Sequence, residues 1–435
     1  LNTGFHYTKG AGYYEQYKEG EDLKDYDISP VYLSNDTIES SDLIRRRWLD
    51  NDYYGMIFSL VYNPNNRLKT ILGGGINKYD GDHFGEVIWA RYASNSEIRK
   101  KYYDNNGLKT DGNIYSKTSY SFNSKFHSFL DLQIRNIDYS FFGYDDNLVN
   151  IQQDENYLFF NPKVGFSYTP NTSSKLYALF AVANKEPNRS DLTESSSISR
   201  PEHETLYDLE IGFKKSHKIF ALSINGYYMM YDNQLVATGE LNDVGASVRT
   251  NIDNSYRAGI EIEGGVKITK GLNWNGNISL SQNKLENWTE YVDNWDNGGK
   301  VKVEYEESTL AFSPSVVASS IIEFKVFKQF NKSKLGDLSV SFISKYVGEQ
   351  FLDNTESEER KLDAYFIYDL RFNYILKLKK VREIVFFGSV NNVLDHLYSA
   401  NGWVYRYSLG GEFGQQDGYY PQAGRNFMLG LNFKF

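Results

Sequence analysis

The segment 425–435 alternates between apolar and mostly polar side chains. Successive side chains of a β-strand point to opposite faces, so a strand here has one apolar face and one mostly polar face. A period of two is typical of strands in membrane β-barrels. An ordinary half-buried strand of a soluble sheet is the alternative for this segment alone. The apolar positions are Phe427, Leu429, Leu431, Phe433 and Phe435.

The same alternation recurs along almost the whole chain. In 365–374, for example, Phe366 and Leu370 alternate with Asp369 and Arg371. Patterns of this kind predict about 16 strands. The predicted strands are 1–8, 52–62, 67–78, 114–122, 127–139, 157–168, 175–184, 205–213, 220–231, 260–268, 273–282, 312–326, 338–347, 365–374, 384–391 and 425–435.

The connections between these strands alternate between short turns and long polar loops. Outer-membrane barrels have short periplasmic turns and long extracellular loops, whereas a compact soluble domain rarely holds many loops longer than about 15 residues. The pattern therefore predicts an all-β fold, a transmembrane antiparallel β-barrel. The short turns are 63–66, 123–125, 170–173 and 269–271, and the long loops are 9–45, 80–112, 140–156, 185–204, 232–255, 284–310, 349–362 and 397–420.

Composition agrees with a barrel and excludes other classes. The chain has 36 Tyr and 28 Phe residues but no cysteine. Tyrosine suits the aromatic girdles at the two membrane interfaces, and without cysteine there are neither disulfide bonds nor thiolate metal ligands. A mean hydropathy of −0.55 without a long apolar run excludes transmembrane helices. The net charge of −9 argues against nucleic acid as a partner.

Five segments resemble motifs of the TonB-dependent outer-membrane receptors, in the order in which that family has them. Each motif alone is weak, but five in order, followed by a terminal Phe, are specific. The chain is identified on this resemblance as a member of that family. The segments are 183–191 with its Pro-x-Arg core, 254–263 with a basic residue and Gly before Ile-Glu-x-Glu, 346–355 at a loop entry, 390–395 before the last extracellular loop, and 421–425 before the final strand.

The resemblance implies a barrel of about 22 strands closed by an N-terminal plug that carries the contact segment for TonB. Residues 1–435 then represent a partial barrel domain, and we expect the plug and about six strands to precede it in a longer protein. The resemblance also implies residence in the bacterial outer membrane, contact with lipid and lipopolysaccharide, and a barrel-assembly signal at Phe433 and Phe435. A surface lipoprotein partner is left open.

For function, the resemblance implies capture of a scarce solute on extracellular loops, followed by TonB-energised import. The implied cargos are ferric siderophores, haem, cobalamin or oligosaccharides. We expect no enzyme activity and no intrinsic cofactor, because the adjacent pairs Asp82–His83 and Asp395–His396 would point to opposite faces of a strand. The alternative left open is a passive porin of about 16 strands, or an adhesion-type barrel.

Two loops combine polar groups with aromatic rings and are the predicted cargo-binding sites. Carboxylate oxygens suit calcium, and the rings suit a planar or hydrophobic ligand such as a metal chelate. The alternatives are a loop folded on itself and anchoring at the membrane interface. Separately, Arg45–Trp48 is a candidate contact for lipopolysaccharide phosphates, or else a solvated strand end. The predicted site residues are Asp80, Asp82, His83, Glu86 and Trp89 in the first loop, and Trp403, Tyr405 and Arg406 in the second.

Overall fold

The computed structural model describes residues 1–34, 36–93, 96–193, 200–241, 247–326, 336–376 and 382–434. The helices are a 3-10 helix at Leu23–Tyr26 and the five-residue α1 at Arg189–Thr193. Within these ranges no helix has the length and apolar character needed to cross a membrane. The strands are β1 Asn2–Asp22, β2 Val31–Leu33, β3 Asp36–Ile38, β4 Ser40–Asn65, β5 Leu68–Ala90, β6 Lys101–Ser121, β7 Phe126–Gly143, β8 Gln153–Asn171, β9 Ser174–Lys185, β10 Glu204–Ser216, β11 Phe220–Leu241, β12 Ser247–Lys267, β13 Leu272–Asn294, β14 Gly299–Thr309, β15 Val316–Lys325, β16 Asp337–Val347, β17 Gln350–Phe351, β18 Lys361–Leu362, β19 Tyr365–Leu376, β20 Glu383–Asn391, β21 Ser399–Leu409, β22 Glu412–Pro421 and β23 Asn426–Lys434.

Nineteen of these strands form one sheet, and β2–β3 and β17–β18 form two small ribbons. Consecutive long strands pair antiparallel, for example β1 with β4 and β11 with β12. Near their C-terminal ends, β13 and β21 meet in a parallel contact of two residue pairs. The all-β, antiparallel architecture predicted from the alternation is thus confirmed.

Each predicted strand overlaps a strand of this sheet, but the long loops were overestimated. Strand β14 lies inside the predicted loop 284–310, β21 lies inside 397–420, and β22 begins inside that loop and ends one residue after it. Strand β4 alone has 26 residues, whereas a membrane crossing takes about 9–11. The strands continue beyond that length because their backbone groups keep cross-strand partners there, even where the polar sequence no longer alternates.

The chain divides into two compact units. Unit 1 comprises Leu1–Tyr120, Phe129–Lys163 and α1. Unit 2 comprises Ser121–Ser128, Val164–Pro187 and the strands from β10 onward. Each of the two predicted cargo sites lies wholly within one unit.

In unit 1 the two faces of the sheet differ sharply. Met56, Leu72 and Ile76 lie on an apolar face, with Ile114 49% exposed beside them. Membrane barrels turn such a face to lipid. The opposite face carries polar side chains such as Asn77. At the end where β1 finishes and β4 begins, this face is covered by the connection after β1, through a core cluster of Leu23, Tyr26, Ile28, Leu43, Tyr102 and Tyr103.

In unit 2 the same division holds, with Leu209 and Tyr228 opposite each other on the apolar face. Gly212 lies on the polar face beneath the ring of Tyr177, and a methyl group added there would lie 2.2 Å from that ring. The Tyr177 hydroxyl donates to Asn225 Oδ1 at 3.0 Å. Tyrosine therefore fills the space that glycine leaves open and extends a polar network along this face.

Two of the family-like segments dock onto each other at the start of the last strand. The Arg425 amide donates to Asp395 Oδ1 at 2.6 Å, and the Arg425 guanidinium donates to the Val393 carbonyl oxygen at 2.9 Å. Asn392 receives a hydrogen bond from the His396 amide and donates to the His396 carbonyl. The Asn-Asn-x-x-Asp segment is thus a structural clasp for the entry to β23.

Candidate functional site

Asp80 and Asp82 lie on strand β5 rather than in a loop, and both side chains share the face that carries the apolar residues Leu72 and Ile76 nearer the start of the strand. In register, Asp52 stands opposite Asp80 and Asp50 opposite Asp82. We call these four residues the aspartate quartet. Like charges in direct cross-strand positions repel, so the arrangement requires compensation from its neighbours.

Compensation comes from both flanking strands. On β1, Lys9 Nζ lies 2.6 Å from Asp50 and 2.9 Å from Asp52. On β6, Asn106 Nδ2 donates to Asp80 at 2.7 Å and to Asp82 at 2.8 Å. Among the described residues, no group of three or more His, Cys, Asp or Glu side chains is arranged to hold a metal ion. Calcium binding by these carboxylates stays a prediction.

Above the quartet, three rings on neighbouring strands form what we call the aromatic row: Tyr13, Trp48 and Phe84. The ring centroids are 4.5 Å apart for Tyr13 and Trp48, and 5.8 Å for Trp48 and Phe84. Glu86 is buried beside the row and accepts a 3.0 Å hydrogen bond from Trp48 Nε1. Its carboxylate therefore already has an internal partner. Trp89, near the end of β5, is 44% exposed.

The residues of Arg45–Trp48 are divided between the two faces, as strand geometry requires. Arg46 lies with the aromatic row and pairs with Glu15 at 2.9 Å. Arg47 lies on the polar face, where it pairs with Asp146 at 2.8 Å and donates to the Tyr103 hydroxyl at 3.3 Å. The four residues are therefore not a single basic patch.

His83 also lies on the polar face, opposite to Asp82, so the two do not form a dyad. It stands directly across from Asn105, which accepts a 2.6 Å hydrogen bond from Arg189 of the Pro-x-Arg segment. Burial, together with the nearby Arg189 and Arg47, lowers the pKa of His83 to about 4. His83 is therefore a neutral imidazole at physiological pH.

The second predicted site lies in unit 2, where β21 meets the end of β13. Trp295 stacks on Tyr407 with centroids 4.0 Å apart and donates to the Tyr405 hydroxyl at 3.2 Å. That hydroxyl donates to Asp293 at 2.8 Å. We call Trp295, Tyr405 and Tyr407 the aromatic trio. Trp403 shares their face of β21, as alternation requires.

Arg406 points to the opposite face of β21. Its Nη1 lies 2.6 Å from Glu290 Oε2, which also accepts a 3.0 Å hydrogen bond from the Tyr305 hydroxyl. Phe413 covers the guanidinium, with 4.1 Å between the ring centroid and Arg406 Cζ. Burial raises the pKa of Glu290, while Arg406 and then Tyr305 oppose that rise. Arg406 thus fastens β21 to β13–β14 on the face opposite to Trp403 and Tyr405. A ligand-binding role for these residues stays a prediction.

Sequence reasoning missed a buried residue that supports β21 on the face opposite to the aromatic trio. Asn354 is buried, accepts the Ala311 amide at 2.8 Å and donates to the Ala237 carbonyl at 2.7 Å. Beside it, Leu352 packs against Val404 of β21. The signal was present in 346–355, but a loop-entry motif does not reveal that its Asn bridges distant strands.

The polar face of unit 2 also holds two recesses, of about 770 and 360 Å³. Glu263 and Asn277 line the larger, and Glu210, Arg257 and Glu261 line the smaller. Charged and polar side chains thus line both recesses, in contrast to the apolar face across the same strands.

At the C-terminal end, Phe433 is exposed on the apolar edge of β23 together with Leu431. Phe435 lies outside the described residues. An assembly role for this terminus stays a prediction.

Long antiparallel strands with one apolar and one polar face define the class, an all-β protein of the membrane-barrel type. The family model described as "TonB dependent receptor-like, beta-barrel" matches residues 1–393, and the chain belongs to this family. No curated protein matches the sequence significantly.

Several solved structures resemble the chain. They include the copper transporter OprC (TM-score 0.68, 13% identity, 90% of this chain and 57% of that one). The ferric-catecholate import receptor Fiu from K12 E. coli has a TM-score of 0.61 and 14% identity over 100% of this chain and 62% of that one. The ferric citrate transporter FecA has a TM-score of 0.63 and 13% identity over 98% of this chain and 58% of that one. The chain thus spans about three fifths of their length, and identities this low show the fold alone.

Proposed function

We propose that the chain is the larger part of the barrel of a bacterial outer-membrane receptor that captures a metal chelate outside the cell for TonB-energised import. The observation that carries this proposal is the aromatic trio with Asp293, at the extracellular ends of β13 and β21. Family membership supports the energised mechanism. The TonB contact, the plug and the remaining strands are then expected in the intact protein.

The chemistry of the trio suits a chelate with flat organic groups. Trp295 is 48% exposed, so one ring of the stacked pair is accessible to a ligand. Asp293 and the Tyr405 hydroxyl are the hydrogen-bonding groups at its edge. Trp295 and the two tyrosines are held in place by mutual contacts, so little conformational entropy is lost on binding. The similar structures described as a copper transporter, a ferric-catecholate import receptor and a ferric citrate transporter favour a chelated metal as cargo.

We place the first test in unit 2. In unit 1, Asp80, Asp82 and Glu86 already have internal hydrogen-bond partners, and His83 is neutral. These four and Trp89 remain a second proposed contact surface. The two recesses on the polar face of unit 2 are the proposed continuation of the path for polar cargo.

The experiment measures uptake of radioiron chelates by iron-limited cells that carry the intact receptor. Replacing Trp295 and Tyr407 together by Ala should lower uptake about tenfold or more, because each lost stacking contact contributes roughly 0.5–1.5 kcal/mol. Tyr32→Ala, an exposed tyrosine of unit 1, is the matched control. An uncoupler that dissipates the proton-motive force should abolish uptake by the wild type.

Two results would contradict the proposal. Uptake that persists with the uncoupler and rises linearly with concentration would indicate a passive porin. Wild-type uptake by the Trp295/Tyr407 variant for every chelate tested would remove the trio from the binding site. Outer-membrane fractionation of each variant separates loss of function from loss of assembly.

A further inference from the structure

The aromatic row lies on the outward side of unit 1. The register of β1, β4 and β5 is unbroken from the apolar belt up to this row, so Tyr13, Trp48 and Phe84 share a face with Tyr7, Tyr54 and the lipid-facing side chains below. The connection after β1 covers the opposite face. Tyr13 remains 46% exposed. Three rings are therefore presented away from the polar face along which cargo would move.

The height of the row excludes lipid tails as its surroundings. We take Tyr7 and Tyr54, which lie below the row on the same face, as part of the aromatic girdle at the outer membrane interface. Trp48 lies six residues beyond Tyr54 along β4, which is about 20 Å along the strand or about 15 Å along the membrane normal at the tilt of barrel strands. The polar layer on each side of a phospholipid bilayer is only about 5–8 Å thick. The row thus stands above the phosphate level, where a glycolipid leaflet presents its sugars.

The groups around the row are those that recognise sugar hydroxyls. Asp50 and Asp82 lie one register step below it, with the Asn106 amide, and Glu15 lies one step above. Carboxylates accept hydrogen bonds from hydroxyls, and the C–H face of a pyranose stacks on an aromatic ring. Arg46 and Lys101 already cover Tyr13 and Phe84, at 4.3 and 4.0 Å from the ring centroids.

Charge decides between a neutral and an anionic sugar. The carboxylates around the row are Glu15, Asp50, Asp52, Asp80, Asp82, Glu86 and Asp104, and the cations are Lys9, Arg46 and Lys101. The surplus of carboxylates repels phosphates and carboxylated sugars. We propose that the aromatic row binds neutral sugar residues of the outer-leaflet glycolipid, with Trp48 as the central stacking residue. This surface is distinct from the aromatic trio, and the inference rests on the outer-membrane location in the proposed function.

The experiment titrates the intact, detergent-solubilised receptor with lipid-free core oligosaccharide released from lipopolysaccharide by mild acid. Binding is measured by calorimetry, and saturation-transfer NMR identifies the sugar protons in contact. Trp48→Leu should weaken binding about tenfold, since it removes one aromatic contact. Trp48→Phe keeps a ring and should retain most of the affinity. Tyr32→Ala is the control for an exposed tyrosine elsewhere in unit 1.

Retained heat-modifiable gel mobility shows that each variant is folded. If Trp48→Leu and Phe84→Leu bind the oligosaccharide as the wild type does, the proposal is wrong. It is equally wrong if only lipid-linked lipopolysaccharide binds, since the lipid-facing side chains below the row then carry the contact. It is also wrong if Tyr32→Ala lowers the affinity as much as Trp48→Leu does. Import of the free oligosaccharide, lost in Trp48→Leu, would reassign the row to cargo capture and overturn the assignment to lipid-anchored sugar.

Discussion

Arg406 and Glu290 are 116 residues apart in the chain, yet their side chains form an ion pair at 2.6 Å. The pair joins the β21–β22 hairpin to the β13–β14 hairpin, next to the parallel contact between β13 and β21. The Glu290 side chain is mostly buried, and it also accepts a hydrogen bond from the Tyr305 hydroxyl. The geometry of the aromatic trio thus depends on a charge on the reverse side of β21.

Replacing Arg406 by Met should loosen both hairpins. Glu290 would be left partly buried without its cation, at a cost of about 2 kcal/mol, and its pKa would rise further. Hydrogen exchange of 290–309 and 399–421 in the intact receptor should accelerate. The double variant Arg406→Met/Glu290→Gln should recover part of the protection. Equal exchange in the single and double variants would contradict this account.

Asn354→Ala should also destabilise the region around the β13–β14 and β21–β22 hairpins. The change leaves the Ala311 amide and the Ala237 carbonyl without partners at a buried position, and each loss costs about 1–3 kcal/mol. Thermal unfolding of the intact receptor and proteolysis near 350–362 measure the effect. Asn297→Ala, in the exposed turn between β13 and β14, is the control and should change stability little. Unchanged stability of Asn354→Ala would show that water replaces both hydrogen bonds.

Gly212→Ala and Gly226→Ala form a matched pair on neighbouring strands. At Gly212 the new methyl group would push the Tyr177 ring away from Asn225, at an expected cost of about 1–2 kcal/mol. At Gly226 the nearest atom is the Ile211 carbonyl oxygen at 3.9 Å, so the methyl group fits. Melting temperatures in detergent should fall for Gly212→Ala alone. Identical values would mean that Tyr177 moves without loss.

His83 should stay neutral down to about pH 4 in the folded receptor. A pKa below the ordinary value means that the unfolded chain binds the proton first, so stability is full above about pH 6.5 and falls as the pH drops from there towards 4. NMR of labelled histidine measures the titration, with His83→Gln to assign the signal. That variant should also lose the corresponding part of the pH dependence. Titration of His83 near pH 6.5 would contradict its burial.

Leu431→Asp should reduce the amount of inserted barrel. Leu431 lies on the exposed apolar side of β23, and a charge on a lipid-facing position costs roughly 2–4 kcal/mol near the midplane and less towards the interface. Asn432→Asp, on the other face of the strand, is the control. Heat-modifiable protein in outer-membrane fractions measures insertion. Equal amounts for the two variants would place Leu431 away from lipid.

The sequence predicted the fold well because alternation is a local property. Phe366 and Leu370, for example, reveal the apolar face of their strand without knowledge of its partners. The ends of the strands were not predictable, because Asp80 and Asp82 continue β5 through pairing with β4 and β6, and polar residues at every position resemble a loop. Such residues were therefore assigned to loops.

The sequence indicated which segments form the candidate sites, but not which side chains of a segment share one face of the sheet. Tyr405 and Arg406 are neighbours in sequence, yet one lies beside Trp295 and the other beside Glu290 on the opposite side of the strand. Asn354 was missed because its partners, Ala237 and Ala311, contribute only backbone atoms. Contacts between distant segments leave no pattern in a single sequence.

The aspartate quartet has a consequence for the order of assembly. An isolated β4–β5 hairpin would place two pairs of carboxylates directly opposite each other, which opposes closure of its outer half. Lys9 arrives with β1 and Asn106 with β6. We therefore expect the outer half of this hairpin to close after both flanking strands have joined, and the apolar half, which lacks these charges, to pair first.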